Sequence, residues 1–171
     1  TLLVEALETS NRAMTELIDL GAHVGRTRDP VALAQYVAER LLAVTGAVCC
    51  EVAKMERVGL RVLVSQDTRP GRQDPEATKT VDISDYPAAM EAARKREILV
   101  VESPDDPRLT DHERDIYARW GFESQLSIPL LVEDRTIGLI EVYDDKSRDY
   151  DEHTDFARNV GQIVAGAFAN A

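Results

Sequence analysis

The groups of this chain that could do chemistry are two cysteines, three histidines and clusters of acidic and aromatic residues set in short apolar runs. Cys49 and Cys50 are neighbours, and neighbours on an extended segment point to opposite faces, so they cannot share a disulfide or a metal site. Nucleophilic chemistry at Cys49 would need its thiolate, which Glu51 two residues on disfavours, and an inert thiol is the reading that follows. A thiol redox enzyme using either cysteine is the remote alternative; no nucleophile, base and orienting group stand at a recognisable spacing. His112, in DHERD, reads as a solvated helix residue. Asp144, Asp145, Asp149 and Asp151 form an acidic run without the glycine and closing glutamate of a calcium loop, so they read as a solvated turn with Asp151 capping a helix. No catalytic and no metal-ligating residue is assigned.

A richer set sits on strands. Ser124 to Asp144, SQLSIPLLVEDRTIGLIEVYD, carries two alternating apolar runs around a polar turn, the pattern of an antiparallel hairpin. Alternation puts Leu126, Ile128, Leu130, Ile140 and Val142 on one face and Gln125, Ser127, Glu141 and Tyr143 on the other. On an earlier strand Val48, Cys50 and Val52 oppose Cys49 and Glu51. Arg61 and Ser65 join the polar face if Leu60, Val62 and Val64 face the core.

The elements that must hold these groups follow from local signals. Leu3, Leu7, Ser10, Met14, Leu17, Gly21 and Val24 step by four and three, the spacing of a helical seam that either pairs two chains or docks on the domain's own sheet. Asp29 and Pro30 open a second helix with Leu33, Val37, Leu41 and Leu42 inward, ending at Gly46. Strands are expected over 47–55 and 59–66, an exposed, mobile loop over 67–78, a short strand at 80–83, a helix over 86–96 and a strand at 98–101. A last helix from about Asp151 carries Phe156, Val160, Ile163 and Ala167. Helices interspersed with antiparallel strands make an α+β chain.

At 171 residues, 44% apolar and 30% charged, the chain suits one soluble domain with a helical appendage. The excess of 31 acidic over 20 basic residues, a formal charge of −11, argues against direct nucleic-acid binding, which basic side chains drive. No run approaches the ~18 apolar residues of a membrane span. No leader is apparent, and the expectation is a cytoplasmic piece of a longer protein.

Ser124 to Leu130 (Ser-x-Leu-x-Ile-Pro-Leu), Ile137 to Ile140 (Ile-Gly-Leu-Ile) and Asp106 to Arg108 (Asp-Pro-Arg) resemble the GAF domain, the sensor module of signalling proteins, with the likeness running from about Asp29 to Ala167. The resemblance implies an antiparallel sheet of about six strands, with N- and C-terminal helices on one face and a ligand-type pocket under the middle helices on the other. Residues 1–26 are then a signalling and dimerisation helix and 27–171 the GAF domain. The expected lining is Cys49, Glu51, Arg61, Tyr117, Trp120, Gln125, Ser127, Glu141 and Tyr143, set to orient a small polar ligand; a partly solvated sheet with self-paired charges is the alternative. The resemblance further implies a non-enzymatic regulatory fragment that homodimerises through its end helices, with a ligand-free dimerising spacer as the alternative. The cofactor is unknown: no Asn-Lys pair marks a cyclic-nucleotide site and no Cys-His pair marks bilin attachment.

Overall fold

The structure, a computed structural model, describes residues 1–72 and 79–170. Six antiparallel strands, β1 (Cys49–Glu56), β2 (Gly59–Asp67), β3 (Thr80–Val81), β4 (Leu99–Val101), β5 (Ser124–Val132) and β6 (Arg135–Asp144), form one sheet in the order β3-β2-β1-β6-β5-β4. Helices α1 (Leu2–Val24), α2 (Pro30–Thr45) and α5 (Thr154–Ala169) cover one face, and α3 (Pro87–Lys95) and α4 (Asp111–Trp120) stand over the other. The expected strands and helices are present within a few residues of their expected ends. The expected loop over 67–78 lies in part, 73–78, outside the described residues.

Two apolar layers follow from the period-two pattern. Cys50, Val52, Leu126, Ile128, Leu130, Ile140 and Val142 pack with α1, α2 and α5, while Cys49, Ala53, Leu60, Val62 and Leu139 pack with α3 and α4. α2 is built as its sequence indicates: the Asp29 carboxylate accepts from the Val31 N–H at 3.0 Å, and Gly46 closes the helix at φ 69°. The hairpin motifs serve packing. Pro129 lies just past the last β4 pairing, Leu99 with Ser127, where β5 has a free edge and its missing donor is harmless. A Cβ at Gly138 would sit 2.5 Å from the Ala53 carbonyl oxygen. The Asp-Pro-Arg motif is a turn staple, with Asp106 and Arg108 paired at 2.6 Å and Arg114 donating to the Asp106 carbonyl at 3.0 Å.

Two expectations are corrected. In β2 the side-chain alternation slips, because a bulge opposite Val52 and Ala53 inserts Leu63 as an extra residue; Val64 faces α2 as expected, but Leu60 and Val62 turn to the opposite face. At the start of α5, Asp151 is not the cap. It lies in a 3-10 turn (Asp151–His153) whose Asp151 N–H bonds to the Asp149 carboxylate at 3.0 Å, and α5 begins without a side-chain cap.

The seam expected along α1 divides. Ala13, Leu17, Leu20 and Val24 turn toward α2 and α5, burying Leu20, while Leu3, Leu7, Met14 and Ile18 stay 71%, 55%, 58% and 64% exposed. At ~3.6 residues per turn these are two faces about a quarter-turn apart. Docking on the domain and an uncovered apolar stripe thus coexist on one helix.

Candidate functional site

A cavity of about 330 Å³ lies between the sheet and α3–α4. Its floor comes from β1, β2 and β6 through Cys49, Glu51, Val62, Ser65, Glu141 and Tyr143, and its roof from Tyr86, Ala89, Ile116 and Trp120. Glu113 fixes the roof. It forms a capping box with Thr110, whose hydroxyl accepts from the Glu113 N–H at 3.2 Å, and its second carboxylate oxygen accepts from the Ala88 N–H at 3.3 Å. One buried carboxylate therefore holds the first turns of both roof helices. At the other end of α4, Arg69 grips Asp67 at 2.7 Å, stacks 5.2 Å from the Phe122 ring and donates to the Gly121 carbonyl, while Arg72 donates to the Arg119 carbonyl at 3.1 Å. These donors meet the helix's unsatisfied C-terminal carbonyls and tie it to the end of β2.

Beside the floor, between the same sheet face and α4, runs a polar network. The Tyr117 hydroxyl donates to Gln125 Oε1 at 2.6 Å; Gln125 Nε2 donates to Glu141 Oε2 and to Ser127 Oγ; and Ser127 donates to Glu141 Oε2 at 2.7 Å. Burial pushes the Glu141 carboxyl up to about 7, against the hydrogen bond from Ser127 and with help from the charge of Glu51, its paired residue on β1. Ser65 donates to Glu51 at 3.0 Å. Burial likewise pushes the Cys49 and Cys50 thiols up, with Glu51 adding to both shifts, so neither is poised as a thiolate.

Of the residues expected to line a pocket, Cys49, Glu51, Trp120, Glu141 and Tyr143 reach this cavity. Tyr117 and Gln125 border a small pocket against its inner wall, shared with Glu141 and Tyr143, and Ser127 is buried in the network behind Glu141. Arg61 is elsewhere: it is exposed and pairs with Glu56 at 3.3 Å, on the far side from Leu60 and Val62. The β2 bulge decides this, keeping Ser65 on the cavity face as alternation suggested but bringing Leu60 and Val62 there in place of Arg61. His112 is exposed, as expected, but stands at the cavity edge with its ring 6.0 Å from that of Tyr86. Tyr86, Ile116 and Arg119 are lining residues without a counterpart in the sequence reading. The Thr-x-x-Glu of Thr110 to Glu113, a capping-box spacing, was the signal that could have set the rotation of α4 and with it the inward face of Ile116 and Trp120. In the acidic run, Asp144 is committed to Arg148 at 3.1 Å.

A family model described as the GAF domain matches residues 23–171. No curated protein matches the chain significantly. Among solved structures, the GAF domain of a phosphoenolpyruvate-protein phosphotransferase from Coxiella burnetii superposes with a TM-score of 0.78 at 13% identity, covering 94% of each chain. The chromophore-binding domain of an unusual bacteriophytochrome from R. palustris gives 0.77 at 13% identity, over 94% of this chain and 61% of that one. A free methionine-R-sulfoxide reductase from Neisseria meningitidis, in complex with its substrate, gives 0.73 at 17% identity, over 92% and 88%. Likeness at these identities carries the fold and not the ligand. With a family match over most of its length and the sheet, helices and cavity described above, this chain belongs to the GAF domain family.

Proposed function

We propose that this chain is a cytoplasmic sensory and regulatory module that binds a small molecule between the sheet and α3–α4 and passes the change through its terminal helices to an output domain. The cavity carries this reading: about 330 Å³, with apolar and aromatic walls and a few converging polar groups, is the size and make-up of a small-ligand site. Binding acts on the output only through a difference in affinity between two arrangements of the helices. β1 and β6 are the physical link, since they carry cavity residues on one face and the packing of α2 and α5 on the other. The apolar stripe on α1 supports a homodimer. Regulation is favoured over thiol catalysis because burial and the neighbouring Glu51 disfavour both thiolates.

A thermal-shift screen of the chain against cyclic nucleotides, amino acids, small organic acids, amines and tetrapyrroles tests the reading. A ligand that binds only the folded state raises Tm by mass action, and a hit lost on Tyr143→Phe or Trp120→Ala is expected. The same stripe on α1 favours a second reading, a dimerising spacer that takes no ligand. Unchanged Tm across the whole panel, with a dimer in solution, would select it.

A further inference from the structure

We propose, resting on the ligand-sensor reading above, that the cavity takes an organic ammonium ion, a small ligand whose protonated amine is held by Glu141 with Glu51 beside it. The two residues are directly paired on β6 and β1, so both carboxyls leave the sheet on one face, and both line the cavity. Like charges opposite one another repel, and burial raises the cost of holding them ionised; a cation or a proton relieves both. Glu141 is only 5% exposed, and its two side-chain donors, Gln125 and Ser127, both act on Oε2. Among the described residues no side chain donates to Oε1. On a largely buried residue of the cavity wall, a carboxylate oxygen that no described side chain donates to is a receptor for a charged N–H group.

The rest of the cavity agrees in sign. Tyr86, Trp120 and Tyr143 supply aromatic rings, which attract cations through their faces. The lining cations Arg72, Lys79 and Arg119 are all exposed and so stand at the mouth, leaving the floor acidic. A ligand therefore enters amine first. Arg119 has no ion-pair partner among the described residues, and a carboxylate at the ligand's other end would meet it there. The titratable and charged groups that share the two pockets with Glu141 are Glu51 and Cys49 from β1, Asp67 from β2, Tyr143 from β6, Glu113, Tyr117, His112 and Arg119 from α4 and Tyr86 ahead of α3, with Arg72 and Lys79 at the mouth. Burial raises the Glu141 carboxyl to about 7, so near neutrality it holds a proton that an incoming ammonium displaces.

Isothermal titration of the chain with phenethylamine, phenylalanine, 3-phenylpropan-1-ol and 3-phenylpropionate tests the proposal, in buffers of differing ionisation enthalpy at about pH 6.5 and about pH 8.5. The two amines are expected to bind at least about tenfold more tightly than the alcohol and the propionate, with Glu141→Gln removing that difference. Proton release should accompany amine binding at the lower pH and vanish at the higher. The proton count is read on the unaltered chain, so the proposal stays testable if the variant fails to fold: amine binding with no proton release overturns it. Binding of the alcohol or propionate alone, unchanged in Glu141→Gln, overturns the amine and leaves the sensor reading standing. No heat and no thermal shift with any of the four overturns the amine proposal, and the sensor reading falls with it only when the whole panel above also leaves Tm unchanged.

Discussion

Glu141 is the residue on which charge, burial and hydrogen bonding converge, and its titration is the most direct handle on the site. Its folded pKa stands at about 7 against an ordinary 4.5, so the folded state binds its proton more tightly than the unfolded state does. Stability contributed by that proton is present below pH 4.5, falls as pH rises through the window and is fully lost above about 7. Glu141→Gln keeps the shape and removes the titration. Relative to the unaltered chain it is expected to gain on the order of 2 kcal/mol in urea unfolding on going from about pH 5 to about pH 8. Equal differences at both pH values would show that Glu141 ionises freely in the fold. The buried thiols give a second residue-scale expectation: Cys49 and Cys50 react with a disulfide reagent at least about a hundredfold more slowly than a free thiol, and at full rate only in denaturant.

Among the elements, the roof helices and the β1–β6 contact set whether a cavity exists at all. Glu113 supplies a capping box to α4 and an acceptor to the first turn of α3. Glu113→Ala therefore strands donors on both helices and should cost about 2–3 kcal/mol, with faster hydrogen exchange in peptides spanning Ala88. Protection of that segment equal to the parent's would mean that the Glu113 to Ala88 bond holds nothing in place. Gly138→Ala attacks the sheet, since its Cβ would lie 2.5 Å from the Ala53 carbonyl oxygen and 3.0 Å from Leu130 Cδ1. Strand β6 must move away from β1 to admit it, and a loss of about 2–4 kcal/mol in chemical denaturation is expected.

At the scale of the molecule, the sheet separates two jobs. One face anchors α1, α2 and α5 in an apolar layer, and the other forms the cavity, so β1 and β6 carry residues of both layers. None of the described helices is long and apolar enough to cross a membrane. The stripe of Leu3, Leu7, Met14 and Ile18 is uncovered, and the homodimer proposed above would bury it between two copies. Light scattering is expected to find a dimer that Leu7→Glu with Met14→Glu converts to monomer, while Tm measured on the dilute monomer stays within about 2 °C because neither side chain packs in the domain. A parent chain that is monomeric at high concentration would leave the stripe without that role.

Period-two alternation told which residues of β1, β5 and β6 share the apolar face that α1, α2 and α5 cover, because one apolar side must be buried and a slip of one residue would invert it. Local chemistry also fixed the start and end of α2, through Asp29, Pro30 and Gly46. The sequence thus determined the α+β order, the hairpin and most of the cavity floor. Tertiary structure decided the rest. A bulge is set by pairing between strands, so only the folded sheet could send Arg61 to solvent and bring Leu60 and Val62 to the cavity. The roof residues Tyr86, Ile116 and Arg119 reach the site through the placement of α3 and α4, which depends on the Glu113 bridge between segments far apart along the chain. The split of α1 into a docked face and a free stripe was likewise beyond the sequence, since a four-three apolar spacing says that a face is to be buried and does not say against what.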